Sequence, residues 1–179
     1  TGSPTAARRL FAASKPIIGT LAATYLQSRG IMHVADLPAL RFHPRCYYRP
    51  NDDDVPSTPG AFPALIASVT DDDGVQTGTH RTWLDPSGST KAAVASPRRA
   101  MGKILGAAIR FGHAQDVLAA GEGIETTRTR ISPLNCFAAV IASSTSEPLA
   151  ITIASGVSSG SYNTYPPCFI CSHCASVRD

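Results

Sequence analysis

The sequence has no apolar run approaching the roughly 18 residues needed to cross a bilayer. Its first residues, TGSPTAARRLFAAS, lack the apolar stretch of a secretory signal. A cytoplasmic protein with no membrane partner is therefore expected. Charge is scarce as well: 16% of residues are charged, against roughly 25% in an average domain. The net charge of +3 is compatible with a phosphate-bearing partner but falls short of the strongly basic footprint of a dedicated nucleic-acid binder. The pattern G-x-x-x-x-G-K-[ST] is missing, which excludes a helicase motor from this chain.

The shortage of charge is uneven. After Thr126 the only charged residues are Arg128, Arg130, Glu147, Arg178 and Asp179, while Ser, Thr and all the cysteines except Cys46 crowd into that segment. Few helix surfaces and no amphipathic period can be written from such a composition. A boundary is placed near Thr126, with residues 127–179 expected to form an irregular, poorly ordered tail. Cys168, Cys171, His173 and Cys174 make C-x-x-C-x-H-C there. Adjacent His173 and Cys174 cannot readily both join the two other cysteines in a tetrahedron, so zinc is not expected and reduced thiols are.

What the chain does have is 43% hydrophobic residues over 179 positions, enough for a core of that size. Residues 4–30 read as two helices: Leu10, Phe11, Leu21, Tyr25 and Leu26 recur at near-helical spacing, and the Lys15-Pro16 to Gly19-Thr20 segment divides them. Thr20 is a candidate N-cap for the second helix and Gly30 a candidate stop. Residues 40–48 read as a strand that opens into an Asp- and Pro-rich loop over 51–60. The sharpest local signal is apolar 64–69, then Asp71-Asp72-Asp73-Gly74, then residues 75–84, which is strand, turn, strand. Residues 100–109 fit a short strand or a helix, and the apolar run 117–120 reads as a buried strand ending in Gly121-Glu122-Gly123-Ile124-Glu125. The fold class this implies is α+β, with N-terminal helices and a small, mostly antiparallel sheet containing a β-hairpin.

Aromatic and acidic groups each admit two uses. Trp83, Tyr47 and Tyr48 could stack on nucleic-acid bases, yet Arg81 and Trp83 share a strand face, which equally fits a buried ring with an arginine stem laid along it. The Asp52–Asp54 and Asp71–Asp73 runs flank turn signals and are read as solvated loop acids rather than metal ligands. His33, His43, His80 and His113 lie beside no ligand-spaced partner and receive no role.

Several segments together resemble the Toprim-containing, primase-like proteins of plasmids, phages and integrated mobile elements. They are ARRLFAASKPIIGTLAATYLQSRGI, LRFHPRCYY, FPALIASVTDDDGVQTGTHRTWLDPSGSTKA, RRAMGKILGAAIRFG and VLAAGEGIET, in the family's order from Thr5 to Glu125. The resemblance implies a primase-like region over 1–114, the start of an α/β Toprim unit over 115–126, and a role in DNA replication. It places the first Toprim acid on Glu122, for metal binding or acid-base work, with Glu125 beside it as a second candidate metal ligand. Mg²⁺ or Mn²⁺ is the implied cofactor, because phosphoryl transfer needs a hard cation held by oxygens. Arg81 in THRTW and Lys91 in GSTKA become candidate contacts to DNA template or nucleotide, and a replicative helicase a possible further partner.

The family pattern also carries a later Asp-x-Asp, and after Glu125 the only acids are Glu147 and Asp179. A truncated fragment, inactive by itself, is therefore expected; an altered reading frame and a divergent or recombined ending would both produce this composition. Three readings remain open at this point: a fragment of a Mg-dependent nucleotidyl-transferring primase, a non-catalytic nucleic-acid-binding accessory module of replication, and a decayed gene product with no activity of its own.

Overall fold

The structure, a computed structural model, describes residues 2–32, 34, 37–111, 117–121, 123–125 and 136–141. Among these residues it is an α+β fold in which two helices pack on an eight-stranded, mostly antiparallel sheet. No helix among the described residues is long and apolar enough to cross a membrane.

Helix α1 is Pro4–Ala13. Pro4 occupies the first turn, where its missing N–H costs nothing, and the Ser3 Oγ accepts from the Ala6 N–H at 3.2 Å. The chain then forms the two-residue strand β1, Lys15–Pro16, and turns into helix α2, Leu21–Ser28. Thr20 does hold the N-cap position of α2, but its side chain makes no capping bond. Its hydroxyl donates to the Ile17 carbonyl at 2.5 Å instead, so the threonine braces the preceding turn. Gly30, at φ +81°, ends α2 as expected. The Gly30 N–H reaches Gln27 O and the Ile31 N–H reaches Leu26 O, the paired bonds of a left-handed helix stop.

The sheet is organised around β3, Ala61–Thr70. On one edge it pairs antiparallel with β2, Leu40–Tyr47, whose Pro44 sits inside a register shift between His43 and Cys46, where a missing ladder donor is tolerated. On the other edge it pairs with β4, Gln76–Trp83. The joining turn is held by Gly74 N–H to Asp71 O and by the Val75 N–H to the Asp71 side chain at 2.8 Å, with Gly74 at φ +77°. Residues 64–69 are all buried, and alternate residues feed two different apolar clusters. Leu65, Ala67 and Val69 pack with α2; Ala64 and Ile66 pack with Trp83, Tyr48 and the partly buried Leu10 and Phe11 of α1. A strand covered on both faces explains the unbroken apolar run.

The segment 100–109 is two strands rather than one: β5, Arg98–Gly102, beside β4, and β6, Ala108–Arg110, which joins β3 at Thr70. Gly102 lies at φ +95°, and a Cβ there would come within 2.5 Å of Thr77 O and 3.3 Å of the Ala7 Cβ. Facing Gly102 across the pair is Gly78; the missing side chain of Gly102 lets Ala7 of α1 approach, and that of Gly78 leaves room for the backbone of Met101 and Lys103 and for the Ile104 side chain. Strand β7, Val117–Gly121, runs parallel to β8, Cys136–Ile141, and β8 pairs antiparallel with β6. Within 127–179 those six residues form a strand where irregular chain was expected; the rest of that segment lies outside the described residues.

Candidate functional site

The site is built at the carboxyl end of β7. Glu122, the principal sequence candidate, lies outside the described residues; the turn is described from Gly123 onward. Ile124 is buried among the α2-side apolar cluster. Glu125 Oε1 accepts from the Tyr25 hydroxyl at 2.5 Å and lies 3.2 Å from Lys91 Nζ. A carboxylate late in the described chain is thus met by one side chain from α2 and one from the loop after β4.

Both partners are fixed by local chemistry. Tyr25 faces the core from α2, fully buried. Lys91 follows a compact turn: Leu84 bridges to Lys91, the Asp85 N–H reaches Thr90 O, and the Asp85 carboxylate accepts from the Ser87 N–H at 2.8 Å. Gly88, at φ +75°, leaves room only for Leu21; an added Cβ would lie 2.9 Å from that leucine's Cδ2. The turn therefore rests on α2, which also reaches it through Ser28 Oγ and Ser89 O at 3.4 Å.

Titration follows this geometry. Burial pushes the Tyr25 hydroxyl above its ordinary range, and the hydrogen bond to Glu125 and its negative charge push the same way. Burial also pushes Glu125 upward, but the Tyr25 hydroxyl, its own backbone N–H and Lys91 together outweigh it and hold the carboxyl below its usual value. His80 is driven down to about 4, first by burial and then by Arg98, with Arg81 and Lys91 adding to the effect and Glu125 opposing it. The imidazole is neutral at physiological pH, and its buried Nδ1 has no hydrogen-bond partner among the described residues. Arg98 and Arg29 also act electrostatically on Tyr25. The neighbourhood is cationic around one engaged carboxylate.

Does this donor set fit Mg²⁺? Glu125 does not: an ammonium 3.2 Å from its Oε1 opposes a second, divalent cation at that oxygen. Among the described residues no group of three His, Cys, Asp or Glu could hold a metal ion. Glu125 serves as an internal anchor.

Arg81 and Lys91, grouped by sequence, are separated by the fold. Arg81 pairs with Ile66, which belongs to the α1-side cluster, whereas Lys91 bridges to Leu84 of the α2-side cluster. The Arg81 guanidinium lies 4.9 Å from the Trp83 ring centroid. Trp83 is 1% exposed and donates its Nε1–H to Cys46 O at 3.2 Å, so it is core with an arginine laid over it. Tyr48 is core too, edge-on to Trp83 at 4.9 Å, while Tyr47 is exposed. His43 Nδ1 accepts from the Arg45 N–H. His33, His113, Cys168, Cys171, His173 and Cys174 lie outside the described residues.

Two contributors were missed by sequence reasoning. Tyr25 was assigned only to a helix face, and nothing local ties it to a glutamate 100 positions away. Asp54 was read as a solvated loop acid, yet its carboxylate accepts from Tyr48 OH at 2.7 Å, the Asn51 N–H at 2.9 Å and the Ala95 N–H at 2.7 Å. It staples the 51–60 loop to the 92–97 segment. Proximity to Tyr48 in sequence was the available signal.

Residues 1–111 match the family described as Domain of unknown function (DUF7146), and the chain belongs to that family. Tyr25 and Lys91 fall inside the matched region, whereas Glu125 falls beyond it. No curated protein and no solved structure matches the chain.

Proposed function

We propose that the chain is a piece of a Toprim-type, primase-like DNA replication protein, in which the domain of residues 1–111 precedes the first strands of a nucleotidyl-transferring unit. The observation that supports this most is the pairing of β7 with β8 in parallel, with the Glu122-Gly123-Ile124-Glu125 turn directly at the carboxyl end of β7. In α/β units ligands bind outside the carboxyl ends of parallel strands, where an acid is rigidly carried and glycine lets phosphate approach. Glu122 is the acid assigned to that chemistry, and a Mg²⁺ or Mn²⁺ requirement goes with it in the complete parent protein. The cations Arg98 and Lys91, both of which act on the neutral His80, suit a phosphate-bearing template or nucleotide.

A second reading, a non-catalytic nucleic-acid-binding accessory module, is favoured by one observation: Glu125 is occupied by Lys91 and Tyr25, so the described part of the acid turn serves structure. Primer synthesis on single-stranded DNA in Mg²⁺ or Mn²⁺, measured beside template binding at several salt concentrations, separates the two. Synthesis abolished by Glu122→Gln supports the enzyme. Salt-dependent binding without synthesis supports the module; absence of binding contradicts both, because a fragment inactive by itself is still expected to hold the template.

A further inference from the structure

We infer that Arg98, Lys91 and the imidazole of His80 form a binding site for a single phosphate group on the α2 face of β4 and β5. The site rests on the nucleic-acid reading for the class of its ligand, and all three side chains lie within the DUF7146 domain.

Strand alternation and pairing bring the three groups together. His80 stands opposite Ala67 of β3, which is buried in the α2-side cluster, and opposite Ala100 of β5, so its ring projects from the α2 face between two small side chains. Two positions along β4 on the same face is Thr82, opposite Arg98. Two further is Leu84, bridged to Lys91. Diagonal neighbours across a strand pair lie about 7–8 Å apart, within reach of a long side chain, and both cations act on the His80 ring. Helix α2 lies chiefly over β2 and β3, to one side of these groups. A partly exposed imidazole, an exposed arginine and a partly exposed lysine thus share one stretch of the face.

The demand for an anion follows from what these groups lack. Among the described residues the Arg98 guanidinium makes no hydrogen bond or ion pair, and the enclosed Nδ1 of His80 has no partner. Glu125 is the carboxylate that acts on the ring, against Arg98, Arg81 and Lys91, and it is already engaged by Tyr25 and Lys91. Positive charge is left without compensation. An exposed arginine by itself is ordinarily solvated; the enclosed, unpartnered imidazole diagonal to it is what marks a built site. A neutral imidazole carries one N–H donor, Arg98 a planar fork that matches two phosphate oxygens, and Lys91 a compact charge. Donors of three shapes, with no acceptor left open among them, suit a tetrahedral oxyanion and repel a metal ion.

Titration calorimetry and proton NMR on the full chain, in metal-free buffer at neutral pH, test the site with three probes: inorganic phosphate, a nucleoside triphosphate and a single-stranded oligodeoxynucleotide. Arg98→Gln is expected to weaken binding about tenfold and His80→Gln about fivefold. Arg9→Gln, which removes the same charge from an exposed position on α1, is expected to leave binding within about twofold of wild type. The His80 ring protons, identified by their loss in His80→Gln, are expected to shift with each probe that binds. Equal weakening in Arg98→Gln and Arg9→Gln, or a His80 signal that stays in place while a probe binds, overturns the site. Wild-type affinity for DNA in both Arg98→Gln and His80→Gln also overturns it and leaves the nucleic-acid reading standing, whereas no binding of any probe by the wild-type chain overturns both. Site-dependent binding of phosphate and triphosphate without DNA upholds the site and assigns it to a free nucleotide; site-dependent binding of DNA assigns it to the template.

Discussion

The two faces of the sheet use cations in opposite ways. On the α1 face, Arg81 and Arg99 lie over Trp83 and Tyr48, with ring distances of 4.9 Å for Arg81–Trp83 and 4.5 Å for Arg99–Tyr48. Arg99 also donates to Arg49 O and to Tyr48 OH. These guanidinium groups sit over the rings of a buried aromatic core. On the α2 face, Lys91 meets a carboxylate and Arg98 acts on His80 and Tyr25 through space. The same residue types close a core on one side and define an electrostatic site on the other. Position relative to aromatic or acidic groups, rather than charge count, decides which role a cation takes.

The comparison can be broken most forcefully at the aromatic face. Trp83→Ala removes the largest fully buried side chain and is expected to cost about 3–5 kcal/mol in chemical denaturation. A loss below about 1 kcal/mol would mean that Trp83 is not core. Gly102→Ala comes next, expected at about 2 kcal/mol, because alanine is strained at φ +95° and its Cβ would meet Thr77 O. Wild-type stability in this variant would contradict the close approach of α1.

On the other face the sharper probe is pH. His80 has its folded value depressed from 6.5 to about 4, so the unfolded chain takes up the proton first. The stability from keeping it neutral is fully present above pH 6.5 and is lost as pH falls from there through about 4. Glu125, depressed from 4.5, adds stability that is present above that value and lost as pH falls through its lower folded value. His80→Gln should flatten the decline of thermal stability between pH 6.5 and 4, and a decline of undiminished slope would count against burial as its cause. Smaller again, Lys91→Met is expected to cost about 1 kcal/mol near neutral pH. Arg98→Gln, on an exposed side chain, should stay within about 0.5 kcal/mol, and on the proposed nucleic-acid reading it should weaken binding to single-stranded DNA and its salt dependence.

Much of the fold could be read from local signals. Pro4 opens α1, Gly30 closes α2, and Asp71 with Gly74 makes the β3–β4 turn, each because one or two residues carry the conformational preference. The apolar run before Gly121 marked β7 through its composition and the glycine that ends it. The site was harder. Tyr25 and Glu125 meet only through tertiary packing, and which face Lys91 takes depends on its bridge to Leu84, a pairing that leaves no mark in the spacing. Arg81 and Lys91 are close in sequence, yet strand alternation followed by a turn sends them to opposite faces. Thr20 has the right residue type for a cap, but a competing carbonyl, that of Ile17, takes its hydroxyl.

The tie between the DUF7146 domain and the turn beyond it is most directly tested by a double-mutant cycle on Lys91→Met and Glu125→Gln, followed by chemical denaturation. Removing both groups should cost less than the sum of the single losses by about 1 kcal/mol. Additivity to within about 0.3 kcal/mol would mean that lysine and glutamate do not hold each other, and the tie from the loop after β4 to Glu125 would be lost with it.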